Sequence, residues 1–145
     1  MTTETKKGWK NNQKSIADLH NESNNWVSEV EFILDEIRFL NHLLSVKYID
    51  YLVAGLSKRI EIFTKKLEVE QKTGTVLIDS FKKHEIVLAD LIENNNLITN
   101  INYIEQHKTL ENEIEIYLKK YKNLKKQIFE VVEKVMRKKN IKKIT

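Results

Sequence analysis

The chain has 145 residues, of which 32% are charged and 41% hydrophobic; it has three glycines and neither proline nor cysteine. Without cysteine, disulfides, thiol catalysis and cysteine-ligated zinc are excluded, and without proline and with so little glycine a few long helices are favoured over hairpins. No apolar run approaches the ~20 residues of a membrane-spanning helix. The formal charge of +4 is spread unevenly.

Residues 1–8 (Met-Thr-Thr-Glu-Thr-Lys-Lys-Gly) lack the apolar run of a signal peptide and read as a disordered tail on a cytoplasmic protein. A single helical-bundle domain is expected over 9–140, followed by a basic tail, 141–145. The first apolar seam runs Trp9, Asn12, Ile16, Leu19, Ser23, Trp26, Val30, Ile33, Ile37, Leu40, Leu44. Its steps alternate between three and four residues, the signature of the buried edge of a long helix. The Asn21–Asn25 cluster has poor helix propensity, but the seam keeps phase across it, so one helix is expected from about Asn12 to Val46, with a fresh start near Asn24, capped by Ser23 or Asn24, as the alternative.

Asp50 is the expected N-cap of a second helix, running to about Glu93, with its seam at Ile60, Phe63, Leu67, Glu70, Gly74, Leu77, Phe81, His84, Leu88 and Leu91. The seam also keeps phase through Gly74, so this helix is expected to be continuous. Asn94–Asn96 form the expected second turn. A third helix, from about Leu97 to Lys139, carries Tyr103, His107, Leu110, Ile114, Tyr117, Tyr121, Leu124, Ile128, Val131 and Val135.

The expected fold is therefore all-α, a long antiparallel three-helix bundle, coiled-coil-like, running up-down-up. Pairing the seams places His84 opposite His107, Gly74 opposite Tyr117, and the one acidic seam residue, Glu70, beside Trp26 and Tyr121, whose N–H and O–H are the donors a buried carboxylate needs. Ser23 is expected in the Gly74 layer, small beside large. The arrangement resembles spectrin-type three-helix coiled coils, which also use long helices and a Trp in the first; the resemblance implies no function.

Four groups of residues bear on function. His84 and His107, with Glu111 one turn on, could ligate a divalent metal or respond to pH as a pair of imidazoles, but the expected role is a polar layer that fixes register, with Asn12 or Gln13 as its third member. No metal and no cofactor is expected. The acids Glu29, Glu31, Asp35 and Glu36 lack the Glu-x-x-His partners of a di-iron bundle, since Ala17, Phe39, Phe81 and Ile104 stand three before the four histidines. The C-terminal third is basic: residues 96–145 carry twelve bases against six acids, while residues 21–50 carry two against six. Lys119, Lys122, Lys126, Arg137, Lys138 and Lys139 are candidate anion-binding residues. Lysine dominates over arginine, however, which suits nonspecific phosphate contact rather than base reading.

The fourth group lies off the seams. Phe32, Phe39 and Val46 recur every seven residues on helix 1, with Leu43 beside them, and Ile62, Val69 and Val76 do the same on helix 2. A three-helix core does not need them. They are expected to flank one apolar groove between helices 1 and 2 and to be covered by a partner helix or a second copy. The expected function is a non-enzymatic helical interaction module, self-associating as a homodimer. The alternative is a binder of nucleic acid or an anionic surface.

Overall fold

The structure, a computed structural model, describes residues 14–94 and 101–144, with side chains as far as residue 138. The chain is all-α. Among the described residues four helices follow in order: α1 (Ile16–Val46), α2 (Tyr48–Val53), α3 (Ser57–Glu93) and α4 (Ile101–Ile144). The expected tail at 1–8, the seam residues Trp9 and Asn12, and most of the Asn94–Asn96 turn lie outside the described residues. Among the described residues no helix is long and apolar enough to cross a membrane.

α1 begins at a capping box. Ser15 Oγ accepts the Asp18 amide at 3.0 Å, and the Asp18 carboxylate accepts the Ser15 amide at 3.1 Å. The helix then passes unbroken through Asn21–Asn25. Its buried edge, Leu19, Ser23, Trp26, Val30, Ile33, Ile37, Leu40 and Leu44, pins those asparagines on the solvent side, where packing overrides their poor propensity.

The corner after α1 corrects the expected helix count and the expected start of helix 2 at Asp50. Asp50 lies inside α2, a separate six-residue helix. α2 stops at Gly55, which adopts a left-handed φ of +75°. The Leu56 amide donates to the Tyr51 carbonyl at 2.8 Å and the Gly55 amide to the Leu52 carbonyl at 3.0 Å, a Schellman closure that glycine accommodates without strain. Tyr51 is fully buried and closes the end of the core.

That corner moves the pivot of the chain and shifts α1 along α3. Seam pairing sets Trp26 against Glu70; in the structure it packs on Phe81 instead, with ring centroids 5.3 Å apart. Eleven residues separate Glu70 from Phe81, about three helical turns. α1 packs chiefly on α3 and α3 on α4. One long apolar cluster holds Trp26, Ile37, Phe63, Leu67, Phe81, Ile114, Tyr121 and Ile128, and a smaller one holds Leu19, Leu88 and Tyr103.

α3 runs straight through Gly74. A Cβ there would stand 2.6 Å from Tyr117 Oη and 3.0 Å from Leu34 Cδ2. Ser23, expected in this layer, is not the α1 neighbour; the register shift brings Leu34 there. Tyr117 is buried and donates its O–H to the Glu70 carbonyl at 3.1 Å. Gly→Ala within a helix ordinarily gains about 1 kcal/mol. Here Gly74→Ala should instead lose about 1–2 kcal/mol, because Tyr117 must give way. Urea denaturation checks this, and in a Tyr117→Phe background, which removes the nearest atom, the loss should at least halve.

Candidate functional site

Between the two apolar clusters lies a buried polar layer. His84 Nε2 on α3 meets His107 Nδ1 on α4 at 2.8 Å. His107 Nε2 meets Glu22 Oε1 on α1, also at 2.8 Å. A carboxylate only accepts, so His107 carries its proton on Nε2, its Nδ1 accepts, and His84 donates from Nε2. Glu22 in turn binds Lys14 Nζ at 2.7 and 2.9 Å. That ammonium side chain is 2% exposed and lies 3.8 Å from the buried Glu111. Tyr103 stacks flat on His84, with centroids 4.3 Å apart, and Trp26 covers His107 at 4.6 Å. At the rim His20 pairs with Glu85 at 2.6 Å.

Burial penalises a charged imidazole, so it drives the His84 pKa down to about 4, with His107 adding to the effect. Burial also lowers His107, while its hydrogen bond to Glu22 pulls the other way. The two imidazoles use a nitrogen each on one another. Among the described residues no group of three or more His, Asp or Glu is placed to hold a metal ion.

Glu70 and Tyr121, the other polar seam residues, do not meet as expected. Glu70 is buried, at 7% exposure, but its Oε1 has no hydrogen-bond partner among the described residues. Its pKa is raised, chiefly by burial and against the pull of Lys120. Tyr121 donates to Glu36 Oε1 on α1 at 2.7 Å, and Lys125 Nζ reaches the same oxygen at 2.9 Å. The register shift is the cause: it places Trp26 with Phe81 and His107 and leaves Glu36 level with Tyr121.

Phe32 and Val69, expected to flank a single groove between α1 and the following long helix, border different grooves. The stretch between α1 and α3 lined by Asn41, Leu44, Tyr48, Ile60, Thr64 and Lys65 mixes polar and apolar side chains and includes none of the stripe residues. The two apolar stripes lie elsewhere and apart. Phe32, 63% exposed, shares its recess with Ser28, Glu29 and Leu118 of α4. Val69, 56% exposed, borders Lys66, Lys120, Asn123 and Gln127 in the groove between α3 and α4. Phe39, Val46, Ile62 and Val76 are also exposed, whereas Leu43 is half-buried and packs on the core.

The basic candidates spread along α4. Lys119, Lys122 and Lys126 surround Ile116 on its outer face, together with Lys120. Arg137 lies 3.5 Å from Glu133, Lys138 is exposed, and the Lys139 side chain is outside the described residues. The sequence reading missed Lys14, Glu22 and Leu118, and weighed Glu36 only as a di-iron ligand. Glu22, Glu29 and Glu36 recur every seven residues immediately before seam positions, and that flanking repeat was the available signal. Lys14 and Glu22 stand eight residues apart, a spacing with no local helical meaning.

No known family model matches the chain, nor does any curated protein or solved structure.

Proposed function

We propose that the chain is a non-enzymatic helical interaction module that associates with itself in the cytoplasm. In this reading α1, α3 and α4 form an up-down-up, coiled-coil-like bundle. The pairs support it. Trp26 with Phe81 and Leu34 beside Gly74 match rising numbers on α1 with falling numbers on α3. Glu22 with His107 and Glu36 with Tyr121 keep the same separation of 85 residues, as parallel neighbours do.

The observation that carries the functional reading is the exposure of Phe32 and Phe39, 63% and 54%, one heptad apart on α1. Fully burying a phenylalanine contributes about 1.5–3 kcal/mol before the costs of association, so a recurrent exposed pair marks a surface that another chain covers. Light scattering across a concentration range should give a mass above one chain. Phe39→Asp should return it to one chain with helicity intact, because Phe39 is not in the core. A wild-type protein that stays at single-chain mass, or a Phe39→Asp chain that unfolds, removes the reading.

A second reading, nonspecific binding of nucleic acid or an anionic surface, is favoured by the cluster of Lys119, Lys120, Lys122 and Lys126 on the outer face of α4. Salt-sensitive retention on immobilised duplex DNA, lost on Lys119→Glu/Lys122→Glu, is its test.

A further inference from the structure

Resting on the self-association proposed above, we infer that copies join head to tail, the acidic α1 stripe of one chain docking on the basic α3–α4 stripe of the next. The two apolar stripes occupy different sides of α4. On one side Phe32 lies beside Leu118. On the other, Val69 lies level with Lys120 and Asn123. One heptad along, Val76 follows Val69 and Ile116 precedes Asn123; both are exposed, at 64% and 61%, so they extend the second stripe. Each chain therefore presents two separate apolar surfaces rather than one.

Charge decides how such surfaces pair. Glu29 lines the recess of Phe32 and Glu31 precedes Phe32 on the helix, while Asp35 is paired with Arg38 at 2.6 Å, so the charge around Phe32 is net negative. The second stripe is edged by Lys66, Lys119, Lys120 and Lys126. A two-fold dimer through either stripe would set like charges against one another around its apolar centre, which opposes association. Docking the first stripe on the second sets carboxylates against ammonium groups and phenylalanine against valine and isoleucine. Such a junction leaves one stripe free at each end, so it closes only as a ring or else grows. The occupant of each stripe is thus a second copy of this chain.

Two variants, each disabling one stripe, test the inference. Phe39→Lys spoils the α1 stripe, and Val69→Glu spoils the α3–α4 stripe. Both sites are exposed, and circular dichroism checks that the helices remain. Where Phe39→Lys loosens α1, Phe39→Gln replaces it. By sedimentation velocity each variant alone should run at single-chain mass, and an equimolar mixture should run at twice that mass and no higher, since one sound junction survives per pair. Wild-type association should also weaken from low to high salt. If Phe39→Lys is monomeric while Val69→Glu associates like wild type, the junction is two-fold through α1 and the head-to-tail inference fails, though self-association stands. A mixture that stays at single-chain mass also overturns it. A wild-type protein that is monomeric throughout removes the parent reading instead.

Discussion

Acidification from pH 7 towards pH 4 should cost the folded state about 3 kcal/mol through His84 alone. Its imidazole has an ordinary pKa of 6.5 in the unfolded chain and is held at about 4 in the fold. Each tenfold loss of proton affinity corresponds to about 1.4 kcal/mol. The folded-state value lies below the unfolded one, so in this window the unfolded chain binds the extra proton and stability falls with pH. The contribution is whole above pH 6.5 and is lost progressively between there and about pH 4. His107, lowered in the same direction, adds to the loss. The groups facing the pair are Tyr103 and Glu111 on α4, Glu22 on α1 and, through Glu22, Lys14. The first proton, on His84 Nδ1, leaves Nε2 donating to His107; only a second proton, on His107 Nδ1, removes the acceptor and breaks the bond within the pair.

Urea denaturation at intervals from pH 7.5 to 4.5 measures the effect. His84→Gln keeps an amide donor within reach of His107 and cannot titrate, so its stability should depend much less on pH in this range. Glu70 acts in the opposite sense. Its raised pKa means that the folded state holds that proton more tightly, so falling pH favours folding through Glu70. Glu70→Gln should therefore steepen the acid loss. A wild-type protein equally stable at pH 7 and pH 4.5, with Glu70→Gln also flat, would show that the imidazole pair is not sealed from solvent.

The helices themselves were legible in the sequence because their seams are long and keep phase. Ser23, Trp26 and Val30 bury one edge of α1 through a stretch of asparagines, and Gly74 sits inside α3 for the same reason. His84 and His107 could be set opposite one another because the turn between α3 and α4 is marked by consecutive asparagines. The corner before α3 was not legible. Tyr48–Val53 is as apolar as the helix it interrupts, and only Gly55 betrays the break. One misplaced pivot then shifted every α1 partner, sending Trp26 to Glu70 instead of Phe81. The side on which each stripe falls was beyond the sequence for a different reason. Heptad spacing fixes how far Phe32 and Val69 stand from the core, but which neighbouring helix lies on that side depends on the handedness of the bundle. Handedness leaves no trace in the spacing.

Glu22→Ala should destabilise the protein by about 3 kcal/mol, more than the loss of a typical surface carboxylate. Glu22 joins two groups that have been taken out of water: Lys14, whose side chain is 2% exposed, and His107, which is fully buried. Removing the carboxylate deprives the ammonium group of its contacts at 2.7 and 2.9 Å. It also takes away the acceptor for the His107 Nε2 proton, 2.8 Å away. Breaking a buried ion pair from one side typically costs about 3–5 kcal/mol, because the partner charge stays behind; the partial exposure of Glu22 puts this case at the lower end. Replacing both partners should behave differently. In Lys14→Met/Glu22→Gln the amide oxygen still accepts from His107 and neither charge of the pair is stranded, so the double variant should be more stable than Glu22→Ala alone. Chemical denaturation of the two variants at pH 7 decides the matter. If the double variant is the less stable of the two, the ion pair itself contributes more than the charge it would leave behind, and Lys14 anchors the start of α1 rather than merely neutralising Glu22.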